Sequence, residues 1–236
     1  MKLRTVIPLA AVLGLTGCNG PLSQLDPEVV RPEAVLDFGT LYKDNCSGCH
    51  GADGRGGAAN ALRSPVYLAI ADDFTIRNVT SRGVRGTQMP PFAQSMGGML
   101  TDKQIDAIVR GIRAWARPDA QRDASLPAYS VPEPGDPKSG AEVYTTFCSS
   151  CHGPDGRGGK KGSSITNGSY LALVSDQYLR TIVIAGRPEL GAPDWRGNVQ
   201  GRPMSAQEIA DVVAWLASRR SPYPGQPYAA AQQLKP

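Results

Sequence analysis

The sequence predicts an all-α protein built from two tandem domains that a proline-rich linker joins. A twelve-residue segment occurs twice, at residues 46–57 and 148–159, with identical residues at ten of the twelve positions. In each half, a later segment carries apolar residues at helical spacing behind a capping-box pattern. No segment alternates apolar and polar residues in the manner of a strand. The repeat therefore indicates two helical domains of one kind.

Three main helices are predicted in each half. The first lies directly before the repeated segment, and the second ends at a glycine, a residue that readily closes a helix. The third follows a capping box, Thr101-x-x-Gln104 in one half and Ser205-x-x-Glu208 in the other. The predicted ranges are 34–45, 73–82 and from 102 onward in the first half, and 137–147, 176–185 and from 206 onward in the second.

The segments outside the two halves are predicted to be connections. Residues 118–136 contain repeated prolines, which favour a semi-extended linker over a loose coil. Residues 18–33 are interpreted as a tether. Residues 221–236 are poor in core residues, and we interpret them as a tail.

The composition limits the function classes. The 236 residues carry a net charge of +4 and 19% charged side chains, so neither a nucleic-acid footprint nor an acidic disordered tail is indicated. A hydrophobic content of 41% spread over two small domains predicts thin cores, which something besides side chains has to complete. The chain has only two histidines. This count excludes a bis-histidine metal cage in each half.

The N-terminus has the pattern of an export signal. A basic start and an apolar run predict that residues 1–17 are a signal peptide, because the run is too short to span a bilayer comfortably. Residues Leu15–Cys18 resemble the lipobox of bacterial lipoproteins, in which the cysteine is acylated and becomes the mature N-terminus. An ordinary signal peptide with a stray cysteine is the alternative. We expect a protein on the periplasmic side of a bacterial membrane, lipid-anchored through Cys18.

Both repeats contain Cys-x-x-Cys-His, a signal for covalent attachment of c-type haem. On a helix, positions i, i+3 and i+4 share one face, so two thiols can bond to the haem edge while the imidazole reaches the iron. A thioredoxin-type redox pair does not explain the histidine after both motifs, and zinc usually takes four closely spaced ligands. The sequence therefore predicts two covalently bound haem c groups. Their candidate ligands are Cys46, Cys49 and His50, and Cys148, Cys151 and His152.

The motifs and the predicted helices make the chain resemble the dihaem class I c-type cytochromes. The resemblance covers about residues 34–117, here called domain 1, and residues 137–220, here called domain 2. In that family each domain has a helix leading into the Cys-x-x-Cys-His motif, a loop with a methionine ligand, and a closing helix.

The resemblance implies Met89 as the second axial ligand of the domain 1 iron. Met89 begins a Met-Pro-Pro-Phe segment 39 residues after His50 and resembles the family's ligand loop. A thioether ligand raises the reduction potential of haem iron. Met96 and Met99 compete for this role, and their alternative interpretation is adaptable core or surface packing.

Domain 2 departs from the pattern, because alignment of the two halves places Ala192 opposite Met89. The only methionine in this half is Met204, 52 residues after His152. Met204 is a candidate ligand, or an apolar residue that packs on Ile209 just outside the capping box. A vacant or water-bound site, or ligation by a tyrosine, Lys160 or Lys161, also stays open.

Two arginines are candidate contacts for the haem propionates. Arg82 and Arg85 precede the Met89 loop, and the guanidinium suits bidentate recognition of carboxylates. The alternative is a solvated loop with no specific partner.

The resemblance implies an electron carrier without catalytic residues of its own. We expect a membrane-tethered cytochrome that relays single electrons between respiratory or photosynthetic redox complexes, or acts as a subunit of one. A quinol-oxidising complex and a terminal oxidase, reductase or reaction centre are the expected partners. Neither nucleic acid nor an obvious small-molecule substrate is expected.

The alternative function is small-ligand binding or peroxide reduction at a five-coordinate haem in domain 2. The sequence argues against a peroxidase, because no spare histidine is present to act as a distal acid-base group.

Overall fold

The structure is a computed structural model that describes residues 30–116, 125–131 and 134–224. The predicted signal peptide, Cys18, most of the tether and tail, and part of the linker lie outside these residues. Within them the regular elements are helices, and the only β-type pairings are two isolated bridges, Ala93 with Leu100 and Arg187 with Ala192. The predicted all-α fold class is confirmed.

The two halves have the same order of helices. Each has a first helix, a one-turn helix on the Cys-x-x-Cys-His motif, a short helix, a middle helix and a closing helix. Domain 1 contains α1 (Phe38–Asn45), α2 (Ser47–His50), α3 (Pro65–Ile70), α4 (Asp73–Arg82) and α5 (Asp102–Arg113). Domain 2 contains α6 (Pro137–Phe147), α7 (Ser149–His152), α8 (Gly168–Ala172), α9 (Asp176–Ala185) and α10 (Ala206–Ala217).

The first helix of domain 1 begins four residues later than predicted. The Asp37 carboxylate accepts a hydrogen bond from the Thr40 backbone N–H at 2.7 Å and caps α1 at Phe38. Residues Pro32–Ala34 form a separate 3₁₀ turn. The predicted start at Ala34 is therefore wrong, because apolar spacing alone does not distinguish a 3₁₀ turn before a cap from the helix itself.

The capping boxes predicted for the closing helices are present. Thr101 accepts from the Gln104 backbone N–H at 3.3 Å, and the Gln104 side chain accepts from the Thr101 N–H at 3.0 Å. Ser205 and Glu208 form the same pair of bonds at the start of α10. These bonds satisfy backbone donors that a helix start leaves unpaired.

Each domain has its own core, centred on its closing helix. Ile105 and Ile108 of α5 are 0% exposed, as is Ile209 of α10. The first and closing helices pack against each other in both domains, with contact through a glycine. In domain 1 the ring of Phe38 on α1 lies over Gly111 of α5. In domain 2 the glycine is on the first helix instead, and Gly140 of α6 lies against Trp215 of α10.

Adding a methyl group at that glycine, Gly140, is expected to destabilise domain 2. A Cβ at this position meets the backbone carbonyl of Asp211 and lies 2.7 Å from the Trp215 Cβ, so the two helices have to separate. Overpacking of this kind costs about 1–3 kcal/mol, which thermal unfolding of Gly140→Ala would measure. Gly48→Ala is the control, because a Cβ there meets no atom within 4 Å. Equal stability of the two variants would contradict this close packing.

The two domains are in direct contact. Val66 and Ile70 of α3 pack against the core of domain 2, and α3 lies next to α9. A linker residue, Tyr129, packs against the core of domain 1. The Gln177 side chain donates to the Tyr129 carbonyl at 2.7 Å, so domain 2 holds the same linker residue from the other side.

Domain 2 also binds the linker through an arginine whose counterpart in domain 1 has a carboxylate partner. Arg77, the fifth residue of α4, pairs with Asp106 of α5. Its counterpart in α9 is Arg180, but Ala210 stands in α10 where α5 has the aspartate. The Arg180 guanidinium instead donates to the Ala128 carbonyl at 2.8 Å. The arginine at this position therefore joins two helices in domain 1, whereas its counterpart in domain 2 binds the linker.

The helices of the described residues are short. None of them has the length and apolar character that a membrane-spanning helix needs.

Candidate haem centres

The Cys-x-x-Cys-His motif of domain 1 forms one helical turn directly after α1. The Cys46 N–H donates to the Tyr42 carbonyl at 2.8 Å, and the His50 N–H donates to the Cys46 carbonyl at 3.0 Å. Cys46 and His50 are therefore one turn apart on one helix face, as their spacing predicts. In domain 2 the His152 N–H donates to the Cys148 carbonyl at 3.0 Å, so the second motif has the same geometry.

A backbone carbonyl orients the imidazole in each motif. His50 Nδ1 lies 2.8 Å from the Asn60 carbonyl oxygen, and His152 Nδ1 lies 2.7 Å from that of Ser163. A carbonyl oxygen only accepts, so Nδ1 carries the proton and Nε2 keeps its lone pair. A histidine oriented in this way is suited to bind a metal ion through Nε2. The donor set fits a haem iron.

The first thiol of each motif does not have the lowered pKa of a redox cysteine. Burial raises the pKa of the Cys46 thiol to about 11, and it does the same for Cys148. Reactive redox cysteines have a lowered pKa instead. No cluster of three or more His, Cys, Asp or Glu side chains suited to a metal ion occurs in the described ranges 30–116, 125–131 and 134–224. The raised pKa values favour haem attachment over the redox alternative.

A tyrosine four residues before each motif holds the backbone that follows the histidine. The Tyr42 hydroxyl donates to the Gly51 carbonyl at 2.7 Å, and the Tyr144 hydroxyl donates to the Gly153 carbonyl. Trp115 packs edge-on against Tyr42 with the ring centroids 5.1 Å apart. Burial raises the pKa of Tyr42 to about 12, so its hydroxyl stays a donor at neutral pH.

Met89 lies in a loop that closes against the end of α4. The Val84 N–H donates to the Met89 carbonyl at 3.0 Å, and Gly83 lies so close that a Cβ there would be 2.6 Å from the same oxygen. Met89 is half-buried, whereas Met96 and Met99 are 45% and 80% exposed. Their exposure favours Met89 among the three, and its role as a ligand stays a prediction.

The corresponding loop of domain 2 places Ala192 where domain 1 has Met89. Gly186 ends α9 as Gly83 ends α4, and a Cβ on Gly186 would lie 2.7 Å from the Ala192 carbonyl oxygen. The two loops therefore align in space as they align in sequence, and domain 2 has an alanine at this position.

Met204 lies in the core of domain 2. Its N–H donates to the Trp195 carbonyl at 3.0 Å, and in domain 1 the Leu100 N–H donates in the same way to the Phe92 carbonyl at 2.7 Å. The Met204 side chain is 3% exposed and belongs to the cluster that contains Ile209. This placement agrees with the packing interpretation, and the ligand role of Met204 stays a prediction.

The other candidate side chains of the sequence lie at the surface. Arg82, Arg85, Lys160 and Lys161 are exposed, so their proposed contacts with propionates or iron also stay predictions.

Two arginines that sequence reasoning missed hold the helices together. Arg113 of α5 donates to the Leu68 and Ala71 carbonyls at 2.5 and 2.6 Å. Arg220, just after α10, donates to the Leu171 and Val174 carbonyls, both at 2.9 Å. These bonds satisfy carbonyls at and just beyond the ends of the short helices α3 and α8. No local motif predicts them, because the partners are more than 40 residues apart.

The repeated motif, its oriented histidine and the helical fold around it define the class of this protein. It is a dihaem c-type cytochrome made of two tandem domains, and it carries two covalently bound haem c groups. Residues 137–220 match the family model described as cytochrome c. Residues 33–110 match the model described as cytochrome c oxidase, cbb3-type, subunit III.

Curated relatives are similar to both halves. A cbb3-type cytochrome c oxidase subunit FixP of Sinorhizobium medicae is 25% identical over 74% of this chain and 60% of its own length. The CcoP subunit of Cereibacter sphaeroides is 28% identical over 57% of this chain and 44% of its length. A cytochrome bc1 complex cytochrome c subunit of Mycobacterium bovis is 23% identical over 89% of this chain and 73% of its length. The chain thus spans 60% or less of the two oxidase subunits.

A solved structure also aligns with the chain. A chain of the Kuenenia stuttgartiensis reducing HAO-like protein complex aligns with a TM-score of 0.43 and 18% identity, covering 83% of this chain and 99% of that one.

Proposed function

We propose that this cytochrome relays single electrons between membrane redox complexes on the periplasmic side of a bacterial membrane, or does so as a subunit of one. The direct packing of α3 on α9 carries the proposal, because it holds two haem domains side by side within one chain. The oxidase and bc1 subunits among the relatives support a place next to a quinol-oxidising complex or a terminal oxidase.

The side chains of this chain provide binding and orientation rather than bond-making chemistry. The haem, when bound, supplies the one-electron chemistry. Cys46 and Cys49 would hold it covalently, and His50 would hold its iron on one side. Both histidines of the chain are committed to the two motifs, so no imidazole remains for proton transfer. This set of residues supports an electron carrier.

The haem of domain 1 (haem 1) and the haem of domain 2 (haem 2) are expected to differ in reduction potential. Met89 would supply a thioether in domain 1, whereas Ala192 offers no ligand at the same place, so the domain 2 potential is expected to be the lower one. A potentiometric titration of the reduced protein should give two separate waves, and carbon monoxide should alter only the spectrum of haem 2. Two superimposable waves, with both haems equally inert to carbon monoxide, would contradict this asymmetry.

We further propose the organisation of the chain around these two domains. Residues 1–17 would be a lipoprotein signal peptide, residues 18–33 a tether from the anchor, and residues 34–117 and 137–220 the haem domains. Residues 118–136 would be the linker and residues 221–236 a tail.

Replacing Cys18 with alanine is expected to release the protein from membranes. Acylation of this residue would anchor the chain without a spanning segment, and the variant lacks the thiol that the acyl chain needs. The measurement is membrane fractionation after a high-salt wash, with the wild type as the control. A Cys18→Ala protein that stays with the washed membranes would show that the anchor is not at this residue.

A further inference from the structure

The carbonyl that orients His50 belongs to a short segment wrapped over the motif helix. This segment, Gly56–Asn60, is here called the His50 loop. The Gly56 N–H donates to the His50 carbonyl at 2.9 Å, and the Ala59 N–H donates to the Cys49 carbonyl at 2.9 Å. The inner side of the loop is therefore bonded to the haem-binding motif of domain 1.

The outer side of the His50 loop is bonded to domain 2. The Arg187 guanidinium donates to the Gly57 carbonyl at 2.8 Å, across 130 residues of sequence. Glu189 pairs with Arg187 and lies against Gly56, where a Cβ would be 2.7 Å from its Oε1. These two side chains are only 14% and 27% exposed, so solvent screens their ion pair less than it screens a surface pair.

The histidine loop of domain 2 is bonded to its own motif, since the Gly158 N–H donates to the His152 carbonyl at 2.9 Å. The Gly159 N–H donates to the Gly162 carbonyl at 2.8 Å, and the three atoms nearest to a Cβ on Gly158 would belong to Gly162, Ser163 and Ser164. His50 is 7% exposed, whereas His152 is half-buried and its hydrogen bond to Ser163 is at the surface. The two histidines make the same bond in different surroundings.

We propose that Arg187 of domain 2 is a positioning residue for the haem of domain 1. By holding the Gly57 carbonyl, it fixes the His50 loop and keeps the Asn60 carbonyl on the imidazole of His50. This hydrogen bond sets the basicity of an iron ligand, and such bonds tune the reduction potential of the metal. The docking of the second domain therefore adjusts the electronic state of the first haem.

The proposal is tested by hydrogen exchange at Nδ1 in the haem-loaded protein. The chain has two histidines, so ¹⁵N-histidine labelling gives one Nδ1–H signal for each domain. In the wild type the His50 proton is expected to exchange more slowly than the His152 proton. Arg187→Gln should accelerate His50 exchange about tenfold or more, because it removes a charge-assisted hydrogen bond from the loop. The His152 rate should not change.

The matched control is Arg55→Gln, which removes a positive charge next to the same loop. Arg55 pairs with Asp53 at 2.7 Å and its side chain is 68% exposed, so it does not hold the loop against domain 2. Glu189→Gln keeps the size of the side chain and removes the partner of Arg187, and it should accelerate His50 exchange in the same direction. The reduction potential of haem 1 should change in Arg187→Gln by more than in Arg55→Gln.

Three results would overturn the proposal. The first is a His50 rate that Arg187→Gln leaves unchanged. The second is equal acceleration by Arg55→Gln, which would assign the effect to charge alone. The third is equal acceleration of both histidines, which would indicate general destabilisation instead of a local contact.

Discussion

Protein in which Cys46, Cys49, Cys148 and Cys151 are all replaced by alanine is expected to lose cooperative unfolding altogether. The buried core of domain 1 comprises only fourteen residues, three of them alanines, and a haem would bury much additional apolar surface. Circular dichroism during heating would measure the loss. A native-like cooperative transition without haem would show that side chains alone complete the cores.

Two double variants are the controls for this experiment. Cys46→Ala/Cys49→Ala is expected to lose one haem and the folding of domain 1, and Cys148→Ala/Cys151→Ala the same in domain 2. Each should keep one haem spectrum and one cooperative transition. Because Val66 and Ile70 of α3 pack against the core of domain 2, the first variant should also lower the melting temperature of the remaining domain.

The second large effect is expected from Met89→Ala. The variant loses the thioether, so the higher-potential wave and the thioether-to-iron absorption should disappear, and haem 1 should become reactive to carbon monoxide. The measurements are a potentiometric titration and visible spectra of the reduced protein. Met99→Ala is the control, since this side chain is 80% exposed and should leave both unchanged. An unaltered spectrum in Met89→Ala would assign the ligand to another residue.

Met204→Ala gives the contrasting result in domain 2. Truncation of a methionine that is 3% exposed is expected to cost about 2–5 kcal/mol of stability. The spectrum of haem 2 should stay as it is, because Met204 lies where domain 1 has Leu100. A changed spectrum in this variant would instead assign Met204 as the ligand and would raise the expected potential of haem 2.

The features that the sequence predicted well depend on contacts between near neighbours. The capping boxes join residues three positions apart, and the middle helices end at Gly83 and Gly186 as predicted. The spacing within Cys-x-x-Cys-His determines which side chains share a helix face. The cofactor and the fold class follow from these local patterns, because a hydrogen bond or a turn between residues a few positions apart requires particular residue types.

Only the tertiary structure showed which residues far apart in the sequence contact each other. The sequence alone leaves Met204 open between ligand and core residue, whereas the structure gives it a core placement, with its N–H bonded to the Trp195 carbonyl and its side chain 3% exposed. The hydrogen bond from Arg187 to Gly57 joins residues 130 positions apart, and neither residue type predicts the other as its partner. Such contacts depend on how the domains pack, which no periodicity along the chain encodes. The sequence by itself therefore determined the main helices of each domain, the motifs and the class of cofactor, and packing between distant segments decided what surrounds each histidine.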